Sequence, residues 1–394
     1  MEELKEGWRL ENLEENLEVI LDYRGKTPQK SEKGRVTLSA KSVKMGYIDY
    51  SNIYYVSEET YSKFMTRGLP KKGDILLTTE APLGCVAELK DDSVCLAQRL
   101  ITLRGKKEKL NNKYLLYYLQ SPRGQYELLS KATGTTVQGI KRTEFSKVKI
   151  LMPSLEKQNK IASILSSLDE KIELNRKINQ NLEEICQNYF LEIFIKNSNK
   201  NCSVGQISDL GNIVSGATPS KKNLKYYTNF GIPWITPKDL SKNFNKFISR
   251  GNLDITELGF KNSSVRLLPK GSVLFSSRAP IGYIAICSND VTTNQGFKSI
   301  VPFKNIGTEF VYYFLKNNVQ FLESRASGST FKEISTTIMA TTPAIIPKEE
   351  PLKVFKKICV NIFEKQYIIE KETEKLIELR DYLLPRLMSG EISV

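Results

Sequence analysis

The sequence of 394 residues contains no histidine. This absence excludes Ser-His-Asp and Cys-His hydrolases, histidine-ligated zinc sites and histidine acid–base catalysis. The sequence also lacks a G-x-x-x-x-G-K-[ST] loop and a strand–GxGxxG–helix unit, which excludes a P-loop nucleotide site and a Rossmann dinucleotide site. The commonest catalytic and cofactor-binding arrangements are therefore missing from this chain.

Cysteine is sparse and scattered, and its positions include no C-x2-C pair: Cys85, Cys95, Cys186, Cys202, Cys287 and Cys359. This spacing argues against a zinc site or a disulfide framework and is typical of a cytosolic protein. Long hydrophobic runs are absent as well, because no apolar run reaches the roughly 18 residues that a membrane span needs. We therefore expect a cytoplasmic protein that binds no metal and has no membrane partner.

The net charge of +14 is distributed unevenly along the chain. Residues 1–155 carry +6 and residues 197–347 carry +9, whereas residues 156–196 carry −1 and residues 348–394 carry no net charge. A basic domain suggests a polyanionic partner, most often nucleic acid. The alternative is a basic protein whose charge serves only solubility.

An internal repeat with an offset near 195 residues explains these four blocks. The matched segments are the Gly-x-Thr-Pro turns at 25–28 and 216–219, the strand motifs at 72–84 and 270–282, Gln98 and Gln295, the aromatic segments at 114–119 and 310–315, the Ala-Thr-Gly-Thr and Ala-Ser-Gly-Ser stretches at 132–135 and 326–329, and the strand–proline endings at 148–153 and 344–347. Their common order indicates a duplicated unit, in which a globular domain is followed by a charge-balanced segment.

The charge-balanced segments are predicted to be long helices, at residues 154–198 and 348–394, between globular domains at 1–153 and 199–347. Apolar residues in both segments follow the heptad spacing of a coiled-coil seam. The predicted pairing residues are Leu165, Leu168, Ile172, Leu182, Ile362, Ile369, Leu376 and Leu383. Asn175 and Asn179 fall on the same seam, where polar residues can fix the register.

The two helices are expected to pair with each other, because each is too apolar on one stripe to stand alone. The pattern predicts an antiparallel coiled coil with internal pseudo-two-fold symmetry, which separates two similar domains of the α+β class. A coiled coil between two chains and an ordinary helical hairpin are the alternatives. Pairing within one chain is favoured because its closure costs less entropy.

Candidate DNA contacts lie in the two basic blocks: Arg24, Lys26, Thr27, Lys30, Lys41, Lys141, Arg142, Thr218, Lys221, Lys222, Lys225, Tyr226, Lys238, Arg278 and Lys332. Lysine and arginine neutralise phosphates, and arginine also reads guanine edges. The segment 220–227 is the best cluster, because it follows a Gly-x-Thr-Pro turn and combines lysines with tyrosines. For any single lysine, the alternative is an ordinary solvated charge.

Matched positions that differ in chemistry are also informative. Glu80 stands in the first strand motif where Arg278 stands in the second. The exchange suggests one scaffold that reads two different sequences, and the alternative is drift on an exposed loop.

Several motifs together resemble the specificity (S) subunits of type I restriction–modification systems, over nearly the whole chain. They are Gly7-Trp8, both Gly-x-Thr-Pro turns, the Gly-Ile-Pro-Trp-Ile stretch at 231–235, both strand motifs, the segments at 134–140 and 150–158, and above all the ending at 379–392. The first block departs from the pattern, because residues 35–41 replace its Gly-Ile-Pro-Trp stretch.

The resemblance implies that each globular block is a target-recognition domain that reads one half of a split, asymmetric DNA sequence. The helices would set the unread spacer and dock two modification subunits, which methylate adenine N6 with S-adenosylmethionine. Restriction subunits would join to cut unmethylated DNA with ATP and magnesium. This chain itself would have no catalytic residues and bind no cofactor. The alternatives are a DNA-binding regulator without an enzyme partner and a scaffold that binds only proteins.

Overall fold

The structure, a computed structural model, describes residues 5–23, 27–134, 137–243, 245–328 and 332–394. The chain divides into two units, Met1–Glu173 with Lys375–Val394, and Leu174–Glu374. Each unit contains one copy of the repeat together with a part of both predicted long helices. The domain boundaries predicted from the sequence instead assign the helices to segments of their own.

The first unit is built on short strands rich in apolar and β-branched residues. They are β1 (Arg9–Asn12), β2 (Leu17–Asp22), β3 (Arg35–Leu38), β4 (Tyr54–Val56), β5 (Ile75–Thr79), β6 (Leu83–Glu88), β7 (Cys95–Leu96), β8 (Leu100–Gly105) and β9 (Lys149–Met152). They form sheets in the orders β2-β8-β5-β6, β4-β3-β7 and β1-β9. Strand β5 is buried on both faces, because Ile75 and Leu77 enter one apolar cluster and Leu76 enters another.

The second unit repeats this arrangement. Its strands are β10 (Cys202–Gln206), β11 (Gly211–Ser215), β12 (Tyr227–Thr228), β13 (Ile232–Ile235), β14 (Phe247–Ile248), β15 (Leu253–Ile255), β16 (Val273–Ser277), β17 (Ile281–Cys287), β18 (Thr292–Thr293), β19 (Lys298–Pro302) and β20 (Pro343–Pro347). They form sheets in the orders β11-β19-β16-β17-β14, β12-β15-β13-β18 and β10-β20. Strand β16 takes the place of β5, with Val273 and Phe275 in one cluster and Leu274 in another. The sequence repeat is therefore also a structural repeat.

The helices are short within the globular parts and long in the charge-balanced segments. They are α1 (Glu58–Phe64), α2 (Asn112–Gln120), α3 (Pro122–Leu129), α4 (Arg142–Phe145), α5 (Leu155–Phe190), α6 (Ser198–Asn201), α7 (Pro237–Lys242), α8 (Glu257–Lys261), α9 (Thr308–Asn317), α10 (Val319–Ser324), α11 (Thr336–Thr341) and α12 (Glu349–Ser389). The matched aromatic segments lie in α2 and α9, where all six residues of each are buried. The predicted α+β class is confirmed.

The two predicted long helices are α5 and α12. Helix α5 continues into a π-helical segment, Leu191–Lys196, and α12 ends before Gly390. Gly390 has a φ of 73°, which is the left-handed conformation that glycine adopts easily after a helix. Within the described residues, no helix is long and apolar enough to cross a membrane.

The long helices run antiparallel in each unit. In the second unit, the Asn175 amide donates a hydrogen bond to Glu372 at 2.8 Å, and the Asn179 amide donates to the Gln366 carbonyl oxygen at 3.4 Å. Since Asn175 is almost fully buried, these contacts define the register there, as the sequence predicts for a polar seam residue.

In the first unit, an ion pair of 3.0 Å joins Arg380 of α12 to Asp169 of α5. None of the predicted pairing residues is exposed. Leu165, Ile172 and Ile369 are buried, and Leu168, Leu182, Ile362, Leu376 and Leu383 are half-buried.

Candidate nucleic-acid interface

The Gly-x-Thr-Pro turn of the second unit is fixed to the loop that joins β18 and β19. Gly216 approaches this loop so closely that a Cβ atom would lie 2.0 Å from the Asn294 carbonyl oxygen. The Ala217 N–H donates to the Thr293 carbonyl oxygen at 2.9 Å, and the Thr218 hydroxyl donates to the Gln295 side chain. Glycine is therefore required at this turn, and the turn places Thr218 beside exposed Gln295.

The basic segment after this turn rests on an aromatic support. The Tyr227 hydroxyl donates to the Pro219 carbonyl oxygen at 2.6 Å, and its ring packs edge-on against Trp234 at 5.7 Å. The Trp234 indole N–H in turn donates to the Ala217 carbonyl oxygen at 3.1 Å. These contacts hold both ends of the segment 220–227 against the unit.

Lys221, Lys222 and Lys225 are exposed on that segment, and none forms an ion pair with a carboxylate of the described residues. Tyr226, which follows Lys225 in the sequence, is half-buried. Lysines that are free of internal partners can neutralise phosphates. The cluster predicted from the sequence therefore forms an accessible basic surface.

Lys238 lies close to the same loop. It is exposed on α7, whose first turn is capped by a hydrogen bond of 2.6 Å from the Thr236 hydroxyl to Asp239. The preceding Pro237 packs near Gly296, where a Cβ atom would lie 3.0 Å from Pro237 Cγ. Thr218, Gln295 and Lys238 are thus positioned by the same loop.

The first unit has an arginine at the corresponding place. The Thr79 N–H donates to the Arg99 carbonyl oxygen at 3.0 Å, just as the Ser277 N–H donates to the Gly296 carbonyl oxygen at 2.8 Å. Arg99 forms an ion pair of 3.4 Å with Glu80. The repeat match between Gln98 and Gln295 could have identified this loop, but it did not identify Arg99.

The charge exchange between Glu80 and Arg278 is balanced locally in both units. Arg278 forms an ion pair of 3.3 Å with Glu333, and Lys298 lies 3.5 Å from the same carboxylate. Each unit therefore contains an arginine–carboxylate pair at this place, Arg99 with Glu80 in the first and Arg278 with Glu333 in the second. The arginine lies on a different loop in each unit.

The remaining candidates of the first unit are dispersed. Arg24 and Lys26 lie outside the described residues. Thr27, Lys30, Lys41 and Lys141 are exposed, and the Lys30 ammonium lies 5.0 Å from the centre of the Tyr54 ring. In the second unit, Lys332 is exposed.

Arg142 is already engaged within the protein. Its guanidinium donates two hydrogen bonds to Glu14, and this donation lowers the pKa of Glu14 below its ordinary value. Sequence spacing gives no signal of this pair, because the two residues are 128 positions apart.

Phe230 is an exposed aromatic residue that no sequence pattern indicates. The Phe230 side chain is 87% exposed, and the guanidinium carbon of Arg250 lies 5.9 Å from its ring centre. Arg250 is held by Asp254 at 2.5 Å. An exposed ring next to an arginine is suited to a nucleic-acid or protein contact surface.

A buried lysine links the globular part of the second unit to the long helices. The Lys246 ammonium contacts the Glu183 carboxylate of α5 and donates to the Gln366 side chain of α12 at 2.6 Å. Burial lowers the pKa of Lys246, and Glu183 partly offsets this effect. Burial alone would raise the pKa of Glu183, but Lys246 and Lys316 together hold it below its ordinary value. The buried carboxylate and ammonium therefore face each other as an ion pair.

Glu370 on α12 is the second buried acid of this cluster. It accepts backbone hydrogen bonds from the N–H groups of Lys246 at 2.8 Å and Phe247 at 3.1 Å. Burial raises the pKa of Glu370 to about 7 despite these donors. The cluster of Lys246, Glu183, Gln366 and Glu370 connects strand β14 to the helices. The described residues contain no group of three or more cysteine, aspartate or glutamate side chains that could hold a metal ion.

Comparisons with known proteins agree with this architecture. The family model described as type I restriction modification DNA specificity domain matches residues 5–184 and 199–379. The type I restriction enzyme MjaIX specificity subunit of Methanocaldococcus jannaschii is 40% identical over 191 residues, which are 46% of this chain and 44% of the relative. The chain thus aligns with less than half of that protein.

Two further matches cover more of the chain. The type I restriction enzyme HindI specificity subunit of Haemophilus influenzae is 27% identical over 354 residues, which are 71% of this chain and 76% of the relative. The crystal structure of a type I restriction–modification S subunit from M. genitalium matches with a TM-score of 0.67 and 17% identity, over 96% of both chains. This last similarity shows the same fold.

Proposed function

The chain belongs to the type I restriction–modification DNA specificity family, and we propose that each of its two units reads one half of a bipartite, asymmetric DNA site. The observation that carries this proposal is the duplication. The family domain matches the chain twice, and the strand order β2-β8-β5-β6 of the first unit recurs as β11-β19-β16-β17 in the second, which adds β14 at the edge.

Differences between the two copies support an asymmetric site. The second unit presents Thr218, Gln295 and three exposed lysines near its Gly-x-Thr-Pro turn. The first unit has Arg99 where the second has Gly296. Sequence is read by side chains at base edges, so units that differ in these side chains are expected to read different bases.

The long helices are proposed to set the unread spacer between the two half-sites and to dock modification subunits. Large apolar side chains are exposed along both helices: Leu174, Ile185, Tyr189, Val354, Val360, Ile368, Leu379 and Tyr382. Exposed apolar side chains become buried when a partner protein docks on them. Packing within the chain leaves these side chains exposed, and a docked partner would cover them.

The chemistry is proposed to reside in the partner subunits. Modification subunits would methylate adenine N6 with S-adenosylmethionine, and restriction subunits would use ATP and magnesium to cut unmethylated DNA. This chain would direct both reactions through sequence recognition, without catalytic residues or a cofactor of its own.

The proposal is tested by methylating a random double-stranded DNA library with the purified complex of this chain and its modification subunits. We expect adenine methylation in a motif of two defined segments separated by a fixed length of undefined sequence. Methylation in one unbroken motif, or at the same sites when this chain is omitted, would contradict the proposal.

A further inference from the structure

Arg99 has a backbone conformation that is unusual for a residue with a side chain. Its φ is 65°, and only two other non-glycine residues in the described part of the chain, Ala81 and Ala279, have a positive φ. This left-handed region brings the Cβ atom close to the backbone, so residues other than glycine seldom adopt it. Such conformations persist where the surrounding structure imposes them, and they occur frequently at functional sites.

The repeat shows that the fold does not require this conformation. Gly296 occupies the equivalent position and accepts the equivalent backbone hydrogen bond, at 2.8 Å from the Ser277 N–H. Its φ is not positive, although glycine could adopt that conformation freely. The first unit therefore has an arginine in a left-handed conformation at a place where the scaffold accepts an ordinary one.

The Arg99 side chain is accessible but restrained. It is 47% exposed, and its Nε lies 3.4 Å from a carboxylate oxygen of Glu80, which is 37% exposed. Glu80 follows β5 directly and is bridged to Gly139, so its backbone is fixed. A guanidinium has five N–H donors, and one carboxylate contact near Nε leaves donors for a second partner. A restrained guanidinium can donate two parallel hydrogen bonds, and their spacing matches the O6 and N7 acceptors of guanine.

The charge of the pair argues for base reading over phosphate binding. Glu80 and Arg99 together carry no net charge, so they add little to the general attraction of a polyanion. Exposed lysines such as Lys30, Lys41 and Lys141 supply that attraction in the same unit. The directional donors of a held guanidinium serve recognition better than charge neutralisation. The adjacent Gln98 is exposed and carries both donor and acceptor groups, which is also suitable for a base edge.

We propose that Arg99 is a specificity-determining residue for a guanine in the half-site read by the first unit, and that Glu80 is its positioning residue. This inference rests on the proposed function. In the second unit, Arg278 and Glu333 form the corresponding arginine–carboxylate pair from another turn. At this pair of corresponding turns, the two units thus present a carboxylate-held guanidinium from different positions on the same scaffold, so we expect them to read different half-sites.

The test uses the complex with modification subunits and a random DNA library, and it compares Arg99→Lys, Arg99→Gly and Glu80→Gln with the unaltered chain. Lysine keeps the positive charge but cannot donate the paired hydrogen bonds of a guanidinium. Glycine reproduces Gly296, the equivalent residue of the second unit. We expect both Arg99 variants to lose about 10- to 100-fold discrimination at one guanine of the first half-site. The second half-site should stay unchanged, which also shows that each variant is folded.

Glu80→Gln removes the restraint but keeps the arginine. We expect it to weaken discrimination at the same guanine by less than the Arg99 variants do, and to raise binding to unrelated DNA because the pair gains a positive charge. A role of Glu80 in stability alone would not affect a single base position.

Arg35→Lys is the matched control. Arg35 also forms an ion pair with a carboxylate, at 2.9 Å from Glu58. It lies at one end of β3, and Leu38 lies at the other end. The Arg99 loop is near the Leu38 end, where the Leu38 carbonyl oxygen accepts a hydrogen bond from the Ala97 N–H. It should leave the motif unchanged. If Arg99→Lys retains every base preference of a bipartite motif, or alters only a position that is not guanine, the inference is wrong and the proposed function stands. If the unaltered complex yields no bipartite motif, the proposed function itself fails.

Discussion

At the scale of single residues, the second unit commits several charges to internal contacts. The Lys246 ammonium lies 3.9 Å from the centre of the Phe363 ring. The Lys246 side chain is only 4% exposed, so its ammonium is shielded from solvent. Glu183 contacts both Lys246 and the more exposed Lys316. Lys246 and Lys316 share the Glu183 carboxylate but differ in burial. Replacing each lysine in turn therefore separates the effect of charge on stability from the effect of burial.

We expect Lys246→Met to lower the free energy of unfolding by about 3–5 kcal/mol, because it leaves Glu183 buried with one partner fewer. Lys316→Met should cost about 1 kcal/mol or less, since the Lys316 side chain is 41% exposed and its ion pair is screened by water. Urea unfolding followed by circular dichroism measures both. Equal, small losses would show that the buried pair contributes no more than the exposed one.

At the scale of elements, the heptad spacing predicts both long helices, and α5 and α12 each begin one residue after the predicted start. The end of α5 is less predictable. The π-helical segment that follows it places Phe194 against Phe310 at 4.9 Å and Phe355 at 5.3 Å. Those rings come from distant parts of the sequence, so no local pattern could indicate this packing.

The outer faces of the long helices give a prediction about partner docking. Ile185 on α5 and Ile368 on α12 are both exposed. We expect the double variant Ile185→Glu, Ile368→Glu to reduce co-purification with modification subunits at least tenfold, because charged side chains oppose burial in an interface. Thermal unfolding of the chain should change little, since both residues are solvent-exposed.

Val204→Glu is the control for that experiment. Val204 is also exposed, but it lies on β10 and not on a long helix. It should co-purify with modification subunits like the unaltered chain. Undiminished co-purification of the double variant would place the docking surface elsewhere.

At the scale of the whole molecule, the sequence repeat predicts the duplicated α+β architecture, because matched strands and turns imply matched folds. The candidate interface is predicted less completely. Lys221, Lys222 and Lys225 are exposed as a basic cluster requires, whereas Arg142 is engaged by Glu14. Arg99 escapes sequence reasoning, because its importance lies in a backbone conformation and in a carboxylate that the fold brings beside it.

The proposed function is the selection, by this chain, of the DNA sites that its complex methylates. It is tested most directly by mapping adenine methylation in the DNA of cells that produce the modification subunit, with and without this chain. We expect a split motif, in which a fixed spacer separates two defined segments, in the cells with this chain and in no others. Identical methylation in both kinds of cell, while the modification subunit is present in each, would contradict the proposed function.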